Sequence, residues 1–148
     1  MFSQKEFTSI FLVVKELSTK RFDQNGILTH SFSGEVNTEA ASPNEIIFKE
    51  FVRWNNEDSL LINSKNIYRW TNLASGNIKL EHLRFGKDNP VMLVELTQVS
   101  ESQWESIEPH NCNRDLYSAN LKIENGKLVL NWTVKGPTEN YSLETIYF

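Results

Sequence analysis

The sequence has little cysteine: Cys112 is the only one among 148 residues. One cysteine cannot form a disulfide within the chain, which excludes the class of small disulfide-rich secreted domains. We therefore expect a reducing, cytoplasmic location. The apolar run at residues 10–14 is too short to span a membrane and lacks the features of a secretory signal. The sequence therefore predicts no association with a membrane.

Clusters of basic residues are also missing. Fifteen Lys and Arg residues stand against 19 Asp and Glu residues, which gives a formal net charge of −4. A protein that binds nucleic acid normally has a basic excess or a basic patch. We therefore expect no nucleic-acid partner.

Helical periodicity is confined to the N-terminus. Ser3 and Glu6 have the spacing of a capping box, in which each side chain accepts a hydrogen bond from the other residue's backbone N–H. A short helix can therefore begin there. The apolar run at residues 10–14 is ambiguous between helix and strand, and we favour a strand from residue 11 to residue 21.

Alternation of apolar and polar residues dominates the rest of the chain. Leu28, Phe32 and Val36 fall on one side of their segment with polar residues between them, which is typical of a sheet with one wet face. Turn signals such as Asn25-Gly26 and Asn125-Gly126 separate the segments. The pattern predicts loops at residues 40–44 and 100–109, a break at 55–58, and strands at 27–36, 45–54, 65–72, 78–85, 91–99, 115–123, 127–134 and 141–148.

Eight to ten short strands joined by tight turns form a meander, which must close or stack to protect its edges. The helical segments are too short to provide crossovers between parallel strands. The length suits one domain. We therefore predict an all-β fold over residues 1–148: an antiparallel up-and-down β-barrel with at most a short N-terminal helix.

The last third of the chain carries three sequence patterns. They are H-x-C-x-x-D-x-Y at residues 110–117, W-x-V-x-G-P at residues 132–137 and Y-x-x-x-T-x-Y at residues 141–147. Shorter segments at residues 32–34, 48–50 and 68–70 add weaker matches. Together they resemble an uncharacterised, mostly bacterial family, domain of unknown function 6314. The resemblance implies a lipocalin-like barrel and no particular activity, and the N-terminus departs from the family pattern.

The first of these patterns contains His110, Cys112 and Asp115. A cysteine nucleophile needs a base, commonly histidine, and a third group often orients that base. In an extended strand, however, positions 110 and 112 lie about 7 Å apart on the same side, too far for a direct hydrogen bond. The alternative is a structural network in which His110 and Asp115 bond backbone groups and Cys112 is a small buried apolar residue. The catalytic residues, if any exist, stay unassigned.

A metal site is the second chemistry that we considered. Soft ligands are available from Cys112, His110, His82 and His30. Structural zinc sites usually combine paired ligands at close spacing, whereas these residues are scattered. The sequence therefore predicts no metal site, and we expect no cofactor.

Two ionisable residues, Glu50 and His30, fall on otherwise apolar strand faces. Burying such a group is costly unless it is paired, so each either meets a partner, lines a polar pocket or lies on a partly wet face. Arg53 and Arg69 are candidate partners of Glu50, although alternation places both on the opposite face of their strands.

Aromatic residues occupy several predicted strands. Aromatic walls with a few polar groups are typical of ligand pockets, and equally of packed cores, so both interpretations stay open. Our leading hypothesis is a barrel that binds a small apolar or aromatic ligand. The candidate binding residues are His110, Cys112, Asp115, Tyr117, Glu50, Tyr68, Trp70, Trp132 and Tyr141.

Two other functions remain open from the sequence. The first is an enzyme on the same barrel that uses His110 with Asp115 or Glu50 as an acid/base pair. The second is a protein-interaction module that acts through a sheet edge or as a homodimer.

Overall fold

The computed structural model of the protein describes residues 2–54, 64–112, 114–137 and 139–148. Within these ranges the chain forms one helix and eleven strands. In chain order these are α1 (Gln4–Phe11), β1 (Glu16–Asp23), β2 (Leu28–Ser42), β3 (Glu45–Trp54), β4 (Ser64–Asn72), β5 (Ile78–His82), β6 (Val91–Ser100), β7 (Gln103–Ser106), β8 (His110–Cys112), β9 (Asp115–Glu124), β10 (Lys127–Lys135) and β11 (Asn140–Tyr147). No helix in the described ranges is long and apolar enough to cross a membrane.

The strands form one antiparallel sheet that closes on itself. Neighbours in sequence pair from β1 to β7, then β7 pairs with β9, β9 with β10 and β10 with β11. The sheet closes because β11 pairs with β1, which aligns Leu17 with Tyr147. The short β8 pairs with the first residues of β9. The predicted antiparallel up-and-down β-barrel is therefore confirmed.

The two ends of the barrel differ. We call one end the mouth: the β1–β2, β5–β6, β8–β9 and β10–β11 connections lie there. We call the other end the base: it carries the β2–β3, β4–β5, β6–β7 and β9–β10 turns. Side chains near the start of β9 and β11, and near the end of β1 and β10, therefore lie close to the mouth.

Helix α1 packs on the base. Its capping box is formed: the Glu6 backbone N–H donates to Ser3 Oγ at 3.0 Å, and the Ser3 N–H donates to Glu6 Oε1 at 3.2 Å. Phe7 and Phe11 lie four residues apart on one face and are fully buried. The Phe11 ring is 5.3 Å from the Trp70 ring inside the barrel. The helix therefore covers the base with aromatic side chains.

The predicted strand from residue 11 to residue 21 is wrong in its first half. Helix α1 extends to Phe11, and β1 begins at Glu16. A continuous apolar run fits a helix and a strand equally well. The choice is made by the tertiary contacts of Phe7 and Phe11, which place both rings on the barrel core.

Two predicted loops are also corrected. Residues 100–109 contain β7, whose Trp104 is fully buried and pairs with Gln98 of β6 and Leu121 of β9. Strand β2 continues to Ser42, so the predicted loop at residues 40–44 is reduced to its last two residues. The predicted break at residues 55–58 lies outside the described residues.

Candidate functional site

A cavity of about 700 Å³ occupies the barrel on the side of the mouth. A barrel directs every second side chain inward, and the cavity wall follows this rule. On β11, for example, Tyr141, Leu143, Thr145 and Tyr147 all line it. On the side of the base, the Phe48 ring stands edge-on to the Tyr147 ring, with centroids 5.3 Å apart.

The inner end of the cavity is polar. The Tyr147 hydroxyl donates a hydrogen bond to Glu50 Oε2 at 2.7 Å, and both side chains are buried. Burial raises the pKa of Glu50 to about 7 because the carboxylate loses its hydration, and the hydrogen bond from Tyr147 opposes this rise. Burial and the neighbouring Glu50 raise the pKa of Tyr147 well above its ordinary value. The phenol therefore stays protonated and keeps its donor role.

Tyr68 joins this group from β4 and also lines the cavity. Burial is the main cause of its raised pKa; the negative charge of Glu50 raises it further, and the positive charge of Arg84 opposes the rise. The inner end therefore offers two neutral phenols and one carboxyl group whose charge changes near neutral pH.

Strand β8 and the start of β9 pair as a hairpin at the mouth, and Arg114 lies in the left-handed region at φ 76°. His110 pairs with Tyr117, and their rings are 6.2 Å apart. His110, Cys112 and Tyr117 line the cavity. Cys112 is exposed, so the interpretation of Cys112 as a small buried apolar residue is wrong.

Asp115 is buried in the same hairpin but is not part of the cavity wall. Its carboxylate lies directly against Gly136, and a Cβ at that position would collide with it. Asp115 therefore packs the hairpin onto the connection between β10 and β11.

Aromatic side chains dominate the wall next to this hairpin. The Tyr117 ring stands edge-on to Trp132, with centroids 6.5 Å apart. Burial first, and then a hydrogen bond with Tyr141, raise the pKa of Tyr117 to about 12. The Arg21 guanidinium lies 3.9 Å from the centre of the Tyr141 ring. The mouth therefore combines flat rings with a cation held over one of them.

Trp70 shares the inward face of β4 with Tyr68 but lies nearer the base. It is fully buried, 6.1 Å from the Phe48 ring, and does not line the cavity. His30 is also outside the wall: its ring stands edge-on to Trp54 at 4.8 Å, and Nδ1 is 3.0 Å from Thr29 Oγ1. Both residues pack against other rings.

The arginines considered as partners of Glu50 bind other carboxylates. Arg69 is 2.9 Å from Glu81, and Arg53 is 3.8 Å from Glu35. Both point away from the cavity, as alternation indicated. The partner that Glu50 does have, Tyr147, is 97 residues away in sequence.

Several wall residues are absent from the candidates that the sequence predicts, although the sequence carries a signal for some of them. Thr145 and Tyr147 belong to the Y-x-x-x-T-x-Y pattern and share the face of Tyr141. Arg21 is separated from Leu17 and Thr19 by even numbers of residues on β1, so alternation places all three on the inward face of the barrel. His82 and Arg84 also line the cavity, and both alternate with Leu80 in the predicted strand at residues 78–85, although β5 itself ends at His82.

Metal ligands are not gathered at this site or elsewhere in the described ranges: no group of three His, Cys, Asp or Glu residues there could hold a metal ion.

Comparison with known proteins gives a family and a set of similar folds. The model of a family described as "Family of unknown function (DUF6314)" matches residues 12–148. No curated protein matches the chain significantly. Two similar solved structures are a "De novo design of a fluorescence-activating beta barrel" and the "Structure of EF1p2_mFAP2b bound to DFHBI". Each is 8% identical, with a TM-score of 0.45 over 94% of this chain and 95% of the other.

Proposed function

The chain belongs to DUF6314, a family of unknown function, and we propose that it binds a small apolar or aromatic molecule inside the barrel. The observation that carries this proposal is the cavity of about 700 Å³ with its largely apolar and aromatic wall. Pockets for small molecules commonly measure roughly 300–1,000 Å³ and have such walls with a few polar groups.

The wall offers two kinds of contact. Trp132, Tyr117 and Tyr141 present ring surfaces near the mouth, and aromatic ligands pack well against such rings at an offset or edge-on. Glu50 and Tyr147 form the polar inner end. A ligand with an apolar body and a hydrogen-bonding group at its inner end therefore matches this arrangement.

Titration with N-phenylnaphthylamine, a neutral apolar fluorophore, tests the proposal. We expect saturable binding with a stoichiometry of one probe per barrel. The variant Leu143→Trp places a large ring in the cavity and should weaken binding at least about tenfold. Ser142→Trp adds the same ring to the neighbouring position on the outer face of β11 and should leave the affinity unchanged.

Equal binding by the wild type and Leu143→Trp would place the probe outside the cavity and refute the proposal. Absence of binding to the wild type, together with no co-purifying molecule in native mass spectrometry, would also count against it. Circular dichroism of each variant confirms that the barrel is folded.

A further inference from the structure

Basic side chains outnumber acidic ones in the cavity wall. Arg21, Arg84, His82 and His110 line the cavity, whereas Glu50 is the one acidic residue in the described part of its wall. Burial already favours the neutral form of Glu50. The chain as a whole carries a net charge of −4. The wall therefore differs in sign of charge from the rest of the protein.

Among the described residues, neither arginine of the wall forms an ion pair with a carboxylate. In the described ranges the ion pairs involve Arg53, Arg69 and Lys79 as cations. Arg21 instead lies over the Tyr141 ring, which holds the guanidinium in place without cancelling its charge. The side chain of Arg84 is exposed at the mouth.

Three of the basic groups, His82, Arg84 and His110, lie close enough to one another for their charges to interact. Burial lowers the pKa of His82, and the charges of Arg84 and His110 lower it further. The Arg84 backbone N–H donates to His82 Nδ1 at 3.4 Å. A negative group at the mouth would relieve the repulsion among these residues and form charge-assisted hydrogen bonds with them.

We propose that the ligand is an amphipathic organic anion, whose apolar or aromatic body fills the cavity and whose acidic group is attracted by the positive charges of Arg21 and Arg84 at the mouth. Carboxylates, sulfonates and phosphate monoesters share this chemistry. The inference rests on the proposed binding function and adds the charge and the orientation of the ligand.

Two probes with the same ring system distinguish binding in the cavity from recognition of a negative group. Anilinonaphthalene sulfonate carries one negative group, and N-phenylnaphthylamine lacks it. We expect the wild type to bind the sulfonate about tenfold more tightly than the neutral probe. Arg21→Gln and Arg84→Gln should each weaken binding of the sulfonate more than binding of the neutral probe, and so reduce that difference.

Lys20→Gln is the matched control. Lys20 is exposed on the outer face of β1, next in sequence to Arg21, and its replacement changes the net charge equally. This variant should bind both probes as the wild type does. Added salt should weaken binding of the sulfonate more than binding of the neutral probe, because screening reduces only the charge interaction.

Three results would overturn the inference. The first is equal affinity of the wild type for both probes, and the second is unchanged sulfonate binding in both arginine variants. The third is an equal loss of affinity for both probes in both variants, which would mean that the arginines only shape the cavity. In each case binding of the neutral probe would leave the proposed function intact, whereas failure of both probes with the wild type would refute both proposals.

Discussion

At the scale of single residues, the burial of Glu50 makes stability depend on pH. Its pKa rises from 4.5 to about 7 in the folded protein, so folding favours the neutral carboxyl group. This contribution is present in full below pH 4.5 and is lost as the pH rises through about 7. We expect the free energy of unfolding to fall by about 3 kcal/mol across this interval because of Glu50.

The variant Glu50→Gln should remove that dependence. Its amide oxygen can still accept the hydrogen bond from Tyr147, but the side chain cannot ionise. Urea unfolding should show that the variant loses less stability than the wild type between about pH 5 and about pH 8. At about pH 8 the variant should be more stable than the wild type. The same loss in both proteins would contradict the burial of an ionisable Glu50.

The hydroxyl of Tyr147 opposes this effect. It donates to Glu50 and stabilises the charged carboxylate. We expect Tyr147→Phe to raise the pKa of Glu50 above about 7 and to cost about 1–3 kcal/mol where Glu50 is ionised, and less where it is neutral. Carbon-13 NMR of the glutamate carboxyl groups measures the pKa directly. An unchanged pKa would show that the two groups are not coupled in solution.

At the scale of the elements, helix α1 contributes its aromatic face to the base. Phe11 is fully buried against Trp70 and Phe48. We expect Phe11→Ala to destabilise the protein by about 3–5 kcal/mol, since it leaves a cavity among rings that cannot collapse onto it. Denaturant unfolding measures this loss.

Val13 provides the control for that prediction. It lies two residues beyond Phe11 and is 60% exposed, so Val13→Ala should change stability by less than about 0.5 kcal/mol. Similar effects of both substitutions would mean that the helix does not pack on the base in solution.

Alternation predicted the long strands because it reports one local property, the face of each residue. Strands β2, β3 and β9 to β11 contain enough alternating positions for the period to be clear. Strand β7 is only four residues long, and Trp104 is its one fully buried residue, so no period is visible. The boundary between α1 and β1 lies in an apolar run that is compatible with both a helix and a strand.

The same limit applies to the site. Alternation placed Tyr68 and Trp70 on one face of β4, but it does not give their height along the barrel axis. Tyr68 lines the cavity, whereas Trp70 lies below it beside Phe11. Asp115 belongs to the sequence pattern of His110, yet its carboxylate lies against Gly136 and outside the cavity wall. Such contacts join different segments of the chain and are not encoded in any one of them.

At the scale of the whole molecule, closure joins distant parts of the chain. The backbone N–H groups of Lys15 and Glu16 both donate to the Phe148 carbonyl oxygen at 2.9 Å. The hydroxyls of Thr19 and Thr145 are 2.8 Å apart across the seam, the β1–β11 pair that closes the barrel. Contacts of such long sequence separation form only after most of the chain is ordered, so we expect slow folding for a domain of this size.

Because the ring of strands is completed by β11, the chain should unfold as one unit. We expect the urea midpoints from tryptophan fluorescence and from far-ultraviolet circular dichroism to coincide. A chain that ends at residue 139 would lack the seam, and it should lose its cooperative transition altogether, since both β1 and β10 would then present unpaired edges. Two separate transitions in the full chain, or a cooperative transition in the shortened one, would show that part of the barrel is stable without closure.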